Sequence, residues 1–226
     1  MLTQVATALP GKPDIALPLR GKAADEPSRL RALGIAMSFG RNMEIYAEGE
    51  PAGNVYKVIS GVVRISKLLP DGRRQISAFH SPGDMFGFEV CDLHYASAEA
   101  VTAVKIIAYK WESLLAAGAR SASVVRDLLN LTMVGLSHTQ EHLLLLGRKS
   151  ALERVAAFLV DMAKRDKGGS VVELAMTRHD IADYLGLTLE TVSRMLAELK
   201  AQGAIKLDGA RRVHLLDGER LAALSA

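Results

Sequence analysis

Three side chains in the segment Leu187-Thr188-Leu189-Glu190-Thr191-Val192-Ser193-Arg194 have the chemistry and the spacing to read base edges. If Leu189 to Leu199 is helical, at about 100° per residue, Val192, Met195, Leu196 and Leu199 centre at about 290° from Leu189, and Glu190, Ser193 and Arg194 at about 90°. The polar trio therefore faces away from any core that the apolar four enter. Arginine forks onto guanine O6 and N7, glutamate accepts from an exocyclic amine, and serine donates or accepts. All three lie towards the helix N-terminus, the end that enters a major groove.

The flanking residues supply what such a helix needs. Thr177 with Asp180 three positions on forms a capping pattern, and Ile181, Ala182 and Leu185 give a short helix one apolar face. Gly186 can close that helix in the left-handed conformation, and Thr188 can cap the next. Two helices joined by a short turn containing glycine make a helix-turn-helix. Beyond Gly203, Ile205-Lys206-Leu207 and Val213-His214-Leu215 alternate around Asp208 to Arg212, as a β-hairpin wing would. Arg211 and Arg212 on the wing, and Arg178 ahead of the first helix, can meet phosphates, which position without reading sequence. The candidate DNA-binding set is thus Arg178, Thr188, Leu189, Glu190, Ser193, Arg194, Arg211 and Arg212. On pattern alone, an ordinary helical hairpin with a solvated polar face fits the same residues, and Arg178 reads equally well as a solvated side chain.

Other chemistry-bearing residues are sparser. No nucleophile and base pair, phosphate loop or metal box is present, so no enzyme, catalytic residue, metal or cofactor is expected. The single cysteine, Cys91, has no partner for an internal disulfide or a closed metal site. With His94 it could serve as a heme or redox handle, although a lone cysteine reads more simply as a small buried hydrophobe. His138 and His142, four apart, could share a metal, but no Glu or Cys completes a site, so a helix-surface or dimer-seam role is expected.

These residues need elements to hold them. The 226-residue chain is 49% hydrophobic, enough to bury real cores, and its net charge of +3 permits nucleic-acid binding without requiring it. No run approaches the roughly 18 to 20 apolar residues that span a bilayer, and the start lacks a secretory pattern, so a cytoplasmic protein without membrane partners is expected. Residues 1–26, with Pro10, Pro13 and Pro18, read as a flexible tail. From Met43 to Lys110 short runs rich in Val, Ile and Tyr alternate with turn residues, and 27–120 is read as one β-domain, a small sandwich or barrel. Its clearest strands are 55–59, 62–68, 75–79 and 104–109, with a hairpin turn at Leu68-Leu69-Pro70-Asp71-Gly72-Arg73.

Over 121–146 the pattern turns helical, with Leu129, Met133, Leu136, Gln140 and Leu143 at alternating spacings of four and three. Some 26 residues would extend roughly 39 Å, more than a small β-domain covers, so the seam predicts a parallel homodimer. Gly147 and Ser150 interrupt this helix, and Ser150 with Glu153 starts another, running to about Lys164. The domain boundary falls near Gly147, leaving 147–226 as a winged helix-turn-helix DNA-binding domain. The fold class is α+β.

The stretch from Leu187 to Arg194 closely resembles the recognition helix of the CRP/FNR superfamily, in its Glu-x-x-Ser-Arg form. The resemblance extends through the glycine-punctuated β-region, Ser81-Pro82-Gly83-Asp84-Met85-Phe86-Gly87, the long helix and the winged module. It is nearest to the FixK branch through Gly87-Phe88-Glu89, Ser97-Ala98-Glu99-Ala100 and His142-Leu143-Leu144-Leu145-Leu146-Gly147-Arg148-Lys149. It implies a cyclic-nucleotide-binding-like β-roll, a dimerisation helix, and a transcription activator that binds palindromic TTGAT-type sites in double-stranded DNA and recruits RNA polymerase. In that branch the target genes would serve low-oxygen respiration. Glu190, Ser193 and Arg194 would contact bases, Arg194 taking the G and Ser193 favouring the thymine side. Leu189 stands where cyclic-AMP-responsive relatives carry arginine. The turn Pro70-Asp71-Gly72-Arg73 matches a polymerase-touching site in relatives, or is a plain turn.

The sequence also departs from the family pattern. Cyclic-AMP binders place Gly-Glu about ten residues before Arg-Ser; here Phe88 separates Gly87 from Glu89, and Ala96 precedes Ser97. A cyclic phosphate would lack its guanidinium partner. The cysteine cluster of oxygen-sensing relatives is missing as well, because no cysteine precedes position 91. The alternative function is a ligand- or heme-gated sensor regulator of the same fold.

Overall fold

A computed structural model describes residues 33–165 and 169–225. The proline-bearing tail and part of the polar turn expected at 166–170 lie outside the described residues. Eight short strands build two four-stranded antiparallel sheets. One has the order β1 (Gly34–Phe39), β8 (Val104–Lys110), β3 (Asn54–Ser60), β6 (Met85–Phe86). The other has the order β2 (Glu44–Tyr46), β7 (Ser97–Ala100), β4 (Val63–Leu68), β5 (Arg74–His80). Val58, Val63, Ala98, Ala100, Val104 and Ile106 bury one inner face, joined by the rings of Tyr46, Tyr56 and Phe86. Tyr56 stacks on both of the others, with centroids 5.5 and 5.2 Å apart, so aromatic side chains fill the interior of the roll.

Each of the four expected strands is present. The hairpin between β4 and β5 closes where Gly72 takes φ of 83° and donates to the Leu69 carbonyl at 2.9 Å. Other elements lacked a readable signature. Strand β7 is Ser-Ala-Glu-Ala, poor in β-formers, yet central, its two alanines fully buried between β2 and β4. The last part of the expected β-domain is helical: α1 (Trp111–Arg120) turns back from β8.

The long helix α2 (Ala122–Arg148) has 27 residues, and Val124 is the only one of them that is buried. Leu129, Met133, Leu136 and Leu143 on its stripe are all exposed on the single chain. It runs through Gly147, against the expected interruption there, because Arg154 from the next helix caps its end. That guanidinium donates to the carbonyls of Leu146 at 2.8 Å and Lys149 at 2.9 Å. Such carbonyls have no partner within their own helix. The break comes instead at Lys149-Ser150, where Ser150 and Glu153 exchange the hydrogen bonds of a capping box and start α3 (Ala151–Arg165).

The remainder is α4 (Arg178–Leu185), α5 (Leu189–Ala201), α6 (Gly218–Ser225) and a three-stranded sheet, β10 (Ile205–Asp208), β11 (Arg212–Leu215), β9 (Val171–Glu173). Val155, Phe158, Leu159, Ile181, Leu185, Leu196, Leu199 and Ile205 form its core. Ile76, Phe79 and Val101 of the roll enter the same cluster, so the C-terminal module sits on the β4–β5 hairpin across a continuous apolar seam.

Candidate nucleic-acid interface

The helix pair starts from local chemistry. Thr177 Oγ1 accepts from the Asp180 amide at 3.1 Å, and the Asp180 carboxylate accepts from the Thr177 amide at 2.9 Å, a complete capping box. Helix α4 ends at Gly186 with φ 61°, left-handed as a closing glycine allows. Thr188 Oγ1 then accepts from the Thr191 amide at 3.2 Å and opens α5. Val192, Met195, Leu196 and Leu199 are its buried residues, so packing leaves one face free.

Glu190, Ser193 and Arg194 are exposed on that free face, Thr188 is exposed beside them, and Leu189 is half-buried at the helix start. The Glu190 carboxyl lies below the ordinary range, drawn down by its own backbone N–H and then by the Thr188 hydroxyl. It is therefore ionised at neutral pH and acts only as an acceptor. Arg178 is half-buried in the first turn of α4, and Arg211 is exposed at the wing tip beside Gly209, whose φ is 67°.

The arginines of the module divide by partner. Arg154 holds carbonyls, as above, with Leu185 O at 3.0 Å as a third. Arg165 holds Asp161 at 2.9 Å and the Phe79 carbonyl at 3.0 Å, and Arg220 reaches the Gln202 carbonyl at 3.3 Å. Arg212 differs from its neighbour in the expected pair: its Nε donates to Glu173 at 3.0 Å, and Asp208 lies 3.7 Å away. Its charge is largely spoken for. Among the described residues no hydrogen bond or ion pair engages the guanidinium groups of Arg178, Arg194 or Arg211, although the Arg211 carbonyl accepts from Leu174 N at 2.8 Å.

Two expectations elsewhere need correcting. Cys91 is exposed rather than a small buried hydrophobe, because its loop leaves the sheets. His94 instead is buried, stacked on Tyr46 at 3.6 Å with Nδ1 3.3 Å from Glu89. The two residues thus stand apart in environment. His142 is no mere helix-surface or seam residue either. Its Nε2 donates to the Tyr184 carbonyl at 2.8 Å, and its ring stacks on Tyr184 at 4.0 Å, tying the long helix to α4. His138 is exposed.

Ala96 is buried and Ser97 Oγ accepts from the Glu48 amide at 2.9 Å, so the stretch that would face a cyclic phosphate is occupied by the chain's own contacts. Residues missed from sequence are Arg64 and Arg74 of the roll, which reach the carboxylates of α4. Their partners lie more than a hundred positions away, and no local signal marks them.

Comparison with known proteins agrees with this arrangement. The model of the Crp-like helix-turn-helix domain matches residues 153–224, and that of the cyclic nucleotide-binding domain matches 36–121. The chain is 48% identical over 216 residues to the nitrogen fixation regulation protein FixK of Azorhizobium caulinodans, covering 92% of this chain and 87% of that one. It is 38% identical over 194 residues to the transcriptional activatory protein AadR of Rhodopseudomonas palustris, covering 83% and 80%. The structure of FixK2 from Bradyrhizobium japonicum superposes with a TM-score of 0.81 at 47% identity, covering 85% of this chain and 98% of that one. The chain belongs to the CRP/FNR family of DNA-binding transcription regulators, in its FixK-like branch.

Proposed function

We propose that the chain is a cytoplasmic, homodimeric transcription activator that binds palindromic TTGAT-type sites, Glu190, Ser193 and Arg194 reading bases. The observation that carries this is the outward trio on α5, with the Arg194 guanidinium free of any partner among the described residues. Thr188, Leu189, Arg178, Arg211 and Arg212 surround it as backbone contacts, Arg212 the weakest of them because of Glu173. The exposed stripe Leu129, Met133, Leu136 and Leu143 gives the dimer its seam, and a two-fold dimer presents two reading helices to half-sites about one helical turn apart. Activation follows the relatives' printed roles, with the tip Asp71-Gly72-Arg73 as a surface for RNA polymerase. Among the described residues no helix is long and apolar enough to cross a membrane.

Fluorescence anisotropy on a TTGAT palindrome against scrambled DNA, at one fixed salt concentration, tests the reading. Arg194→Ala should cost about 1 to 3 kcal/mol per half-site and relax preference at the G. Equal affinity of the unaltered protein for both DNAs would sink the reading.

A further inference from the structure

One buried ionic cluster joins the β-roll to the reading module, and neither capping nor base reading explains its roll side. Asp180, with a side chain 3% exposed, accepts from Arg64 Nη1 at 3.0 Å and from Arg74 Nη2 at 2.7 Å. Arg74 Nε also reaches Asp183 at 2.7 Å, and Arg64 Nε reaches Glu99 at 2.9 Å. Asp180, Asp183 and Tyr184 stand at i, i+3 and i+4, one face of α4. That face lies on β4 and β5, with Tyr184 held between Phe79 at 5.2 Å and His142 at 4.0 Å. The contact has an apolar part around Tyr184, where proximity needs only fit, and a buried charged part around Asp180, where guanidinium forks fix direction.

Resting on the dimeric reading above, we infer that Arg64 and Arg74 are positioning residues that fix the angle of the reading module on the β-roll through Asp180 and Asp183, and that this held angle is the DNA-competent one. The held state leaves Glu190, Ser193, Arg194 and Arg211 exposed, none of them bonded to the roll. The docked face of α4 is distinct from the residues offered to DNA, so mounting and reading do not compete. A dimer that must meet two half-sites at a set spacing gains from such a mount, because the second module then binds at a high effective concentration. A loose module keeps its own contacts and loses that gain.

The test compares the full-length wild-type chain, Arg74→Lys and the double variant Arg64→Gln/Arg74→Gln on three DNAs. These are the TTGAT palindrome, palindromes with the half-sites moved by two base pairs either way, and a duplex with one half-site. The double variant should lose roughly 10- to 100-fold on the palindrome and discriminate spacing less, while one-half-site affinity stays within about 2-fold of wild type. Arg74→Lys keeps the charge but cannot fork onto both carboxylates, so it should fall between. Tighter binding by the double variant would make the mount inhibitory and overturn the inference. So would an unchanged palindrome affinity, or an equal loss on the one-half-site duplex, which would mean a damaged module.

A DNA-free readout separates this inference from the functional one. Spin labels on exposed Cys91 and on Ala210→Cys at the wing tip, in one labelled chain per dimer, should give a single narrow distance that broadens in the double variant. Identical distance distributions overturn the mount whatever the DNA results. A wild-type protein without palindrome preference overturns the function while the distances still decide the mount.

Discussion

Replacing Asp180 by asparagine should destabilise the protein by about 2 to 4 kcal/mol, and most of that loss should vanish in acid. One carboxylate oxygen accepts from Thr177 N at 2.9 Å and Thr177 Oγ1 at 2.7 Å; the other accepts from Arg64 and Arg74 at 3.0 and 2.7 Å. Asparagine has one oxygen and one NH2 group, so either orientation turns a donor towards donors. Pointing the NH2 at Thr177 is the milder choice. It gives up the reciprocal cap, worth about 1 kcal/mol, and leaves two guanidinium bonds to a neutral acceptor, about half as strong as before. Glu99 and Asp183 still neutralise the arginines, which keeps the loss from the upper end of the roughly 3 to 5 kcal/mol of an unpaired buried charge.

Burial pushes the Asp180 carboxyl up, but the Thr177 hydrogen bonds and then Arg64 and Arg74 outweigh it, and the group sits below 3.8. A depressed carboxyl stabilises fully above its unfolded value and loses that contribution as pH falls through its folded value. Wild type should therefore weaken in acid where Asp180→Asn has nothing left to lose. Urea unfolding followed by circular dichroism, repeated from pH 7 downwards, should show the gap between the proteins closing below about pH 4. A gap under about 0.5 kcal/mol at pH 7, the level of an ordinary surface change, would refute the reasoning. A gap that stays constant into acid would refute it equally.

Met133→Glu, on the exposed stripe of the long helix, should dissociate the dimer and weaken palindrome binding in step; sedimentation velocity that still finds a dimer would contradict the seam. Arg211→Ala should lower affinity for all sequences alike and reduce the salt slope by about one, whereas Arg212→Ala should do less because Glu173 already holds it; a salt-series titration separates them. Burial, opposed by Asp84 and aided by Arg165 and His138, lowers His80 to about 4 from 6.5. The unfolded chain then binds the extra proton between those values, so wild-type stability should fall by about 1 to 3 kcal/mol from pH 6.5 to 4. His80→Phe, keeping the ring against Phe86, should flatten that slope in thermal melts.

What the sequence disclosed was whatever short-range chemistry specifies. The capping boxes at Ser150 and Thr177, the left-handed Gly186, the Gly72 hairpin and the wing each depend on residues a few positions apart, and each is present. Strand β7 is hidden because its place comes from its neighbours: its backbone pairs with β2 and β4 while Ala98 and Ala100 turn small side chains into the core of the roll. Gly147 misled because the cap that carries the helix past it comes from Arg154. Asp180 was legible as a cap and illegible as a mount, since Arg64 and Arg74 are 116 and 106 positions away. His142 is hidden for the same reason, its environment being set by α4, whereas Cys91 is exposed because its own loop leaves the sheets.

The sorting of arginines ties the fold to the function more firmly than the net charge of +3 does. An arginine that already holds a carboxylate or carbonyl must give up those bonds, or share them, to meet a nucleic acid. Arg64, Arg74, Arg154, Arg165 and Arg212 are committed in this way, and they build the seat, the helix ends and the wing. The guanidinium groups of Arg178, Arg194 and Arg211, all in the set expected from sequence to meet DNA, have no partner among the described residues; the same holds for Arg148 at the end of the long helix and for Arg41, Arg120 and Arg126 away from the module. Desolvating the first three against phosphates or a guanine edge breaks no bond within the chain, so the contact energy goes into binding. The same reasoning explains why Arg194→Ala should leave folding intact while Asp180→Asn should not: one side chain's partner is absent from the chain, and the other's partners are all within it.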